Sequence, residues 1–489
     1  MYYPALDDVR RNAEEGMWSP VWREVVADLE TPVSAFLKVH RDGPCFLLES
    51  VEGGQRLARY SFIGTEPYRV LTTDSSEGAD PLLRLEVALG ECKVARMPGL
   101  PRLCGGAVGY LSYETAGRFE RLPKPAIDAL GLPESYFMFV HTMLIFDHVT
   151  HTIKVLSHVD PDGDVEQRYR EAVARIESLV TRLREPLDTS RPAESVEHTH
   201  ESFQSNFSRD GFESAVDRAR GLISEGEAIQ VVVSQRLSRP TSAAPFDIYR
   251  ALRTINPSPY MFYLDCVDFQ LVGASPEILV RVEDGKVMTR PLAGTRRRGR
   301  TAEEDLALER ELRTDEKECA EHIMLVDLGR NDIGRVSEPG SVVVSDLMDV
   351  ERYSHVMHLV THVEGKLRND VTALDALRAC FPAGTVSGAP KVRAMEIIAE
   401  LEPDRRGPYA GAVGYVSYSG NMDMAITIRT IVTSKGVAYA QSGCGIVYDS
   451  VPSNEFEETL NKARALLKAI DRAEGTPTAK EVAGAAAHR

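Results

Sequence analysis

A helix that is apolar nearly all the way round yet carries two carboxylates on one face has few places to go. The stretch Thr314-Asp-Glu-Lys-Glu-Cys-Ala-Glu-His-Ile-Met-Leu-Val-Asp-Leu328 predicts one. Glu318 and Glu321 are three apart, so on a helix they share a face that continues through Leu325 and Leu328. From Ile323 to Leu328 only Asp327 is polar, which predicts a buried helix. Burying a carboxylate is costly unless a cation answers it.

A second acidic pair comes much later, in Pro452-Ser-Asn-Glu-Phe-Glu-Glu-Thr-Leu-Asn-Lys-Ala463. If Asn454 caps this helix, Asn454 and Glu457 fit a capping box, and Glu455, Glu458 and Lys462 line one face. Two readings follow. Either the two helices face each other and hold one hard divalent ion, Mg²⁺, which takes few protein carboxylates and leaves room for an anionic substrate. Or the glutamates are solvated and Glu458–Lys462 is an ordinary surface pair. Spacing alone leaves both open.

The 489 residues are enough for two or more domains with ample core. A net charge of −16 argues against non-specific nucleic-acid binding, and an anionic substrate would need local cations, metal or arginine. Seven cysteines lie scattered with no C-x-x-C pair, the usage of reduced thiols in a cytoplasmic protein. The N-terminus has neither a basic start nor an apolar core, so no signal peptide is expected. No apolar run is long enough for a membrane span.

The first part, residues 1–185, reads as alternating short strands and helices, with strands at Pro44–Ser50 and Arg59–Gly64. Gly106–Tyr113 recurs at Gly411–Tyr418, identical at seven of eight positions, and no further repeat accompanies it. After a charged helix at Glu166–Arg184, the polar stretch 186–208 is the expected linker. The second part, 209–474, opens with an amphipathic helix at Asp210–Glu225 and a β-branched strand at Ala228–Gln235. Strand-like pieces follow at Met261–Leu264, Phe269–Gly273 and Glu277–Val282. Antiparallel-looking strands mixed with long helices predict an α+β body. The tail 475–489, rich in Ala, Thr and Gly, is expected to be disordered.

Several stretches could carry chemistry. Gly294-Thr-Arg-Arg-Arg-Gly-Arg300 lacks the P-loop pattern, leaving a solvated basic loop or one that lends N–H groups to a carboxylate. In Tyr353–Thr361, His355 and Met357 alternate with Val356 and His358; a histidine there is a core residue or a catalyst. Phe381-Pro-Ala-Gly-Thr-Val-Ser-Gly-Ala-Pro-Lys391 is a loop of small residues opening onto a helix at Val392–Glu400, where free N–H groups suit an anion. Arg429 ends a strand at Ala425–Ile428 and could grip a carboxylate or form a structural ion pair.

Several ordered motifs together resemble one family. They are Gly273-Ala-Ser-Pro-Glu277, Arg290-Pro-Leu-Ala-Gly-Thr295, Asp327-Leu-Gly-Arg-Asn-Asp332, Phe381–Lys391, and Asp449-Ser-Val-Pro452 leading into Glu455-x-x-Glu458. Over nearly its whole length the chain resembles the chorismate-utilising enzymes, and within them the anthranilate-forming branch. The resemblance implies two antiparallel sheets packed as a sandwich with helices outside, and an N-terminal regulatory part interleaved with the catalytic part.

It also implies roles. Glu321 and Glu458 would ligate Mg²⁺, with Glu318 and Glu455 close behind. Tyr409 and Arg429 would hold the enolpyruvyl carboxylate of chorismate, and Lys462, Gly443, Gly445, Thr385, Gly294 and Thr295 would complete the pocket. Glu277 would be the general acid that helps the C4 hydroxyl leave as ammonia attacks C2, and His358 would assist the later loss of pyruvate. Gln230 stands where relatives that use water carry a lysine base, and Ala293 stands where aminodeoxychorismate-forming relatives carry lysine. Both favour anthranilate. Leu47-Leu-Glu-Ser50 and Asn256-Pro-Ser-Pro-Tyr-Met261 resemble a tryptophan feedback site, with Glu49 on the amino group and Ser50, Pro259, Tyr260, Met261, Val413 and Tyr415 around the indole. Cys444 departs from the family's usual alanine, and Ala425 from a cysteine of some relatives. The expected partners are chorismate, L-tryptophan as inhibitor, and a separate glutamine amidotransferase subunit in a hetero-oligomer, a heterotetramer. The weighed alternatives are an aminodeoxychorismate-forming enzyme and a non-catalytic tryptophan sensor.

Overall fold

The computed structural model describes residues 1–50, 59–74, 77–187, 202–353 and 356–475. Most of the expected linker (188–201), nearly all of the expected tail (476–489) and His355 lie outside them. Within the expected linker, Gln204–Ser205 is a short strand on Gln230–Pro240, and Ser208 caps the helix Arg209–Ser224.

Among the described residues the strands form two sheets, and every ladder between them is antiparallel. Both sheets draw on both halves of the chain. In the twelve-stranded sheet, Ser19–Val26, Thr152–Val159, Thr142–Asp147, Tyr60–Thr65 and Cys45–Glu49 lie side by side. Cys45–Glu49 then pairs with Tyr260–Asp265, and the order continues through Phe269–Ser275, Thr430–Ser434, Val437–Ile446 and Gln230–Pro240. In the ten-stranded sheet the junction is the repeat itself. Gly106–Leu111 pairs with Ala412–Ser417 in a register that sets Gly109 opposite Gly414. A Cβ on Gly109 would lie 1.8 Å from the Tyr136 carbonyl oxygen, so the repeated glycine permits close strand approach.

Alternation along these strands places the core. Phe46, Phe262 and Leu271 of one sheet meet Val108, Tyr110, Met138 and Val413 of the other, which is the sandwich interior. Helices cover the outer faces. Val165–Arg184, Pro245–Ile255 and Pro452–Ala473 pack on the larger sheet, while Arg209–Ser224, Ala373–Cys380 and Lys391–Leu401 contribute to a core shared with both sheets.

The two acidic helices form, with altered starts. Asp315 accepts from the backbone N–H groups of Lys317 and Glu318, which ends the helix Ala302–Thr314 and begins Glu316–Gly334. Glu318 and Glu321 are half-buried on the same side as buried Leu325, but the helix is not buried all round: Ile323 is 40% exposed. The later helix runs Pro452–Ala473 with Val451 at its cap and no side-chain capping bond. Asn454 is already inside its first turn, because Pro452 has the φ and the missing N–H that suit a helix start. Its buried stripe, Thr459, Ala463, Leu466 and Ile470, leaves Glu455, Glu458 and Lys462 on the flank.

Candidate active site

The expected site residues come from ten separate stretches of the chain, and hydrogen bonds and close backbone approaches link several of them. Gln230, at the start of its strand, donates from Nε2 to Glu321 Oε1 at 2.9 Å. Val437–Ile446 runs alongside in a register that puts Gly445 opposite Val232 and Gly443 opposite Ser234. A Cβ on Gly445 would come within 2.5 Å of Gln230 Nε2, and one on Gly443 within 2.9 Å of the Tyr409 hydroxyl. These two glycines therefore keep open the space between Gln230, Tyr409 and the helix Pro452–Ala473. From that helix Lys462 reaches back to the Gly443 carbonyl at 3.0 Å and to Glu458 at 2.7 Å.

On the other side, Gly294 adopts a left-handed φ of +67°, and a Cβ there would stand 3.2 Å from Glu318. The Gly294 carbonyl accepts from His358 Nδ1 at 2.9 Å, and the Thr295 hydroxyl lies 3.1 Å from the same nitrogen. A carbonyl can only accept, so Nδ1 carries the proton and Nε2 keeps a lone pair. Burial lowers the pKa of His358, so the ring stays neutral.

Glu277 is 7% exposed, and burial pushes its carboxyl up to about 8 against the opposing pull of Thr385, Arg290 and Lys462. It is a carboxylic acid that holds its proton at neutral pH. The Thr385 hydroxyl, close enough to favour the ionised form, is buried and makes no hydrogen bond of its own. Gln230 Oε1 is likewise buried without a partner. Two unsatisfied polar atoms in one region mark a place built for a polar guest.

Arg429 sits at φ +51°, a costly conformation for a residue with a side chain. Its side chain makes no hydrogen bond or salt bridge among the described residues, and it feels Tyr409 and Glu458 electrostatically. Of the two readings for it, a structural ion pair is thus not formed. The Gly294–Arg300 stretch is neither a solvated loop nor a phosphate loop. Arg296 bonds Glu311, Asp315 and Glu318, and the backbone N–H groups of Gly299 and Arg300 go to Asp305 and Glu304 of the following helix.

For the proposed metal, four carboxylates from two helices offer an all-oxygen set. Burial raises the pKa of Glu318 and of Glu455, and the neighbouring Glu321 and Glu458 push each in the same direction. Glu318 is paired with Arg296 at 3.0 Å and the exposed Glu458 with Lys462 at 2.7 Å, so the surface-pair reading of Glu458–Lys462 is formed here and a divalent cation would have to displace these partners. Among the described residues no three of these oxygens lie within 4.8 Å of one another, so an ion here would take at most two of them without rearrangement. The residues fit Mg²⁺.

Three features escaped the sequence reading. Arg290 bonds Glu351 at 2.9 Å and Tyr353 at 3.2 Å, while Tyr353 packs edge-on to His358. Arg406, 1% exposed, is held by Glu402 and two backbone carbonyls beneath Tyr409. Lys391 pairs with Asp332 beside the small cavity that Glu277 and Thr385 line. No local motif announces such long-range pairs. Cys444 is fully buried in the core, its thiol pushed up by burial and by Glu455.

A second site lies within the sandwich. A cavity of about 580 Å³ is lined by all seven residues expected to contact tryptophan, Glu49, Ser50, Pro259, Tyr260, Met261, Val413 and Tyr415, and by Ala425. Glu49, 5% exposed, is held by the Tyr249 hydroxyl and by Arg253 at 3.0 and 3.2 Å. The Ser50 hydroxyl is buried without a partner. Asp423, Tyr260 and Arg281 form a hydrogen-bonded triangle on the wall, with sides of 3.0–3.1 Å.

Sandwich, buried acid, neutral histidine and paired glutamates define an enzyme that handles a small anion. The pattern of a family described as chorismate binding enzyme matches residues 43–468, and the chain belongs to that family. Within it the chain groups with the large components of anthranilate synthases. It is 50% identical to anthranilate synthase component 1 of Acetivibrio thermocellus, covering 97% of this chain and 99% of the relative, and 46% identical to that of Aquifex aeolicus, covering 96% and 98%. Among solved structures, anthranilate synthase component I from Streptococcus pneumoniae superposes with a TM-score of 0.74 at 38% identity, covering 90% of this chain and 98% of that one. A menaquinone-specific isochorismate synthase from Escherichia coli shares the fold at a TM-score of 0.71 and 20% identity, covering 95% and 99%.

Proposed function

We propose that the chain converts chorismate and ammonia to anthranilate and pyruvate, the ammonia being drawn from glutamine by a separate amidotransferase subunit. The observation that carries this reading is Glu277, a buried carboxyl that stays protonated at neutral pH. The C4 hydroxyl of chorismate leaves poorly as hydroxide; with the Glu277 proton it leaves as water while ammonia forms the new bond at C2. A positioned acid of this kind contributes about 10²–10⁴-fold. Ammonia brings its own lone pair, and Gln230, committed to Glu321, supplies no base for water. His358 Nε2 then takes the C2 proton as pyruvate is lost and the ring becomes aromatic.

Arg429, unpaired and beside Tyr409, binds the enolpyruvyl carboxylate, and Lys462, Thr385, Gly443, Gly445, Gly294 and Thr295 shape the rest of the pocket. Glu321 and Glu458, with Glu318 and Glu455 behind them, hold Mg²⁺. When bound, the ion supplies the positive charge that lets an acidic protein take the ring carboxylate. The 580 Å³ cavity takes L-tryptophan as a feedback inhibitor, Ser50 offering its unpartnered hydroxyl. The assembly is a heterotetramer with the amidotransferase subunit, in the cytoplasm; among the described residues no helix is long and apolar enough to cross a membrane.

Anthranilate is fluorescent, so incubation with chorismate, Mg²⁺ and an ammonium salt tests the reading directly. Accumulation of aminodeoxychorismate would replace it with the folate-pathway alternative. Tryptophan binding without turnover would make the chain a sensor.

A further inference from the structure

Outside the catalytic region, one cluster brings together donors of three different kinds. His40, Cys45 and Asp265 are the one trio of His, Cys, Asp and Glu side chains among the described residues whose ligand atoms all lie within 4.8 Å of one another. We propose that His40, Cys45 and Asp265 bind one divalent transition-metal ion of the zinc class, at a site separate from the glutamates of the active centre.

The cluster is built by the fold. Cys45 opens the strand Cys45–Glu49 and Asp265 closes Tyr260–Asp265, and the two are direct partners across that antiparallel ladder. His40 follows the last turn of the helix Pro32–Val39, where its ring packs against Phe36 at 5.3 Å. Two donors are therefore fixed by the sheet and the third by a helix end.

Asp265 is oriented as a ligand carboxylate should be. One oxygen accepts from the Val267 N–H at 2.9 Å and Gln270 Nε2 at 3.1 Å, and the other from the Tyr263 hydroxyl at 3.2 Å. Such supporting bonds hold a carboxylate's direction while leaving lone pairs for an ion.

The donor set selects the metal. Mg²⁺ and Ca²⁺ take oxygen ligands, whereas a thiolate, an imidazole and a carboxylate together suit Zn²⁺ and its neighbours. Zinc bonds of about 2.3 Å to sulfur and 2.0–2.2 Å to nitrogen or oxygen set tetrahedral donors about 3.4–3.6 Å apart. The three ligand atoms, all within 4.8 Å of one another, need only close on that spacing. The charges also balance: with neutral imidazole, one thiolate and one carboxylate cancel a dication. Cys45 is 1% exposed, and burial with the nearby Asp265 keeps it a thiol until an ion takes the proton's place. His40 and Asp265 are partly exposed and provide the way in. A bound ion would tie the turn after Pro32–Val39 to the strand pair whose other end carries Glu49, Tyr260 and Met261 of the sandwich cavity.

Metal-free full-length chain titrated with Co²⁺ tests the proposal through the thiolate-to-cobalt absorption band. The expected result is a band that saturates at one Co²⁺ per chain, is bleached by Zn²⁺ and persists in excess Mg²⁺. It is lost in Cys45→Ala and kept in Cys266→Ala, and His40→Gln and Asp265→Asn weaken cobalt affinity by about tenfold or more. No band in the unsubstituted chain overturns the proposal without recourse to any variant. So does wild-type cobalt affinity in His40→Gln with circular dichroism unchanged, at a partly exposed position that ends a helix.

Discussion

Titration of Glu277 links the site's geometry most directly to a measurable rate. Its carboxyl, pushed up to about 8 by burial, is about 90% protonated at pH 7 and about 10% protonated at pH 9. If the protonated form is the acid that releases the C4 hydroxyl, kcat falls by about tenfold per pH unit above pH 8. Anthranilate fluorescence gives the profile, provided free ammonia is held constant at each pH so that the nucleophile's own titration does not enter. Glu277→Gln keeps the shape of the side chain and removes the proton, so kcat drops by about 10²–10⁴ and the residual rate loses its alkaline limb. Thr385→Val deletes the hydroxyl that favours the carboxylate, so the limb moves to higher pH. The same shift acts on stability. Between about pH 4.5, where the unfolded chain gives up this proton, and pH 8, where the folded chain does, the native state binds the extra proton. Folding stability therefore declines over that window, and Glu277→Gln flattens the decline. An unchanged alkaline limb in Glu277→Gln would remove the residue from the acid's role.

Five other substitutions probe separate parts of the two sites. Glu321→Gln or Glu458→Gln should abolish Mg²⁺-dependent turnover while circular dichroism stays native; full activity would remove the metal from these helices. Gly445→Ala places a methyl within 2.5 Å of Gln230 Nε2, so it should break the bond to Glu321, cost about 1–3 kcal/mol in thermal unfolding and raise the KM for chorismate. A wild-type KM would show that Gln230 does not order the pocket. Ser50→Phe should leave turnover intact and weaken tryptophan inhibition by about tenfold or more, equivalent to one good contact; unchanged inhibition would place the inhibitor elsewhere. His358→Ala should slow pyruvate loss by about 10²-fold more than amination, trapping an amino-cyclohexadiene detectable by chromatography, and equal slowing of both steps would refute its assignment.

How much of this was legible in the sequence depended on the range of the interaction. Helix faces were readable because spacing alone puts Glu318 with Glu321 and Glu455 with Glu458, and strand pieces because apolar residues alternate. The resemblance supplied an expectation that spacing could not, namely that the two carboxylate pairs share one ion, and the Glu321 and Glu458 substitutions test it. The condition that Asn454 caps its helix is not met, because Pro452, two residues earlier in the same stretch, starts the helix instead. The repeat at Gly106 and Gly411 was visible, but its meaning was not: the two copies are adjacent strands, and that pairing is what joins the halves of the smaller sheet. Buried pairs such as Arg406 with Glu402, or Arg290 with Glu351, had no local signature, since each links elements whose contact only the tertiary fold creates.

The same interleaving bears on how the sandwich cavity could govern catalysis. Glu277 immediately precedes the strand Ile278–Glu283, and four residues on, Arg281 faces the cavity within the Tyr260–Asp423 triangle. The neighbouring strand Met422–Ile426 presents Asp423 and Ala425 to the cavity, and its last residue donates from Ile426 N to the Glu277 carbonyl at 3.0 Å. The ladder between these strands is irregular between Ile278 and Val280, at the end nearest the acid. A ligand that wedges apart Tyr260, Arg281 and Asp423 therefore acts on two strands that both end at Glu277, where a regular ladder gives way to one with slack. On the proposed reading, tryptophan would inhibit by moving the acid and its buried surroundings together, which alters the proton's position without touching the glutamates or Lys462. That separates feedback from metal binding: an occupied cavity should leave Mg²⁺ affinity unchanged while displacing the alkaline limb of the pH profile.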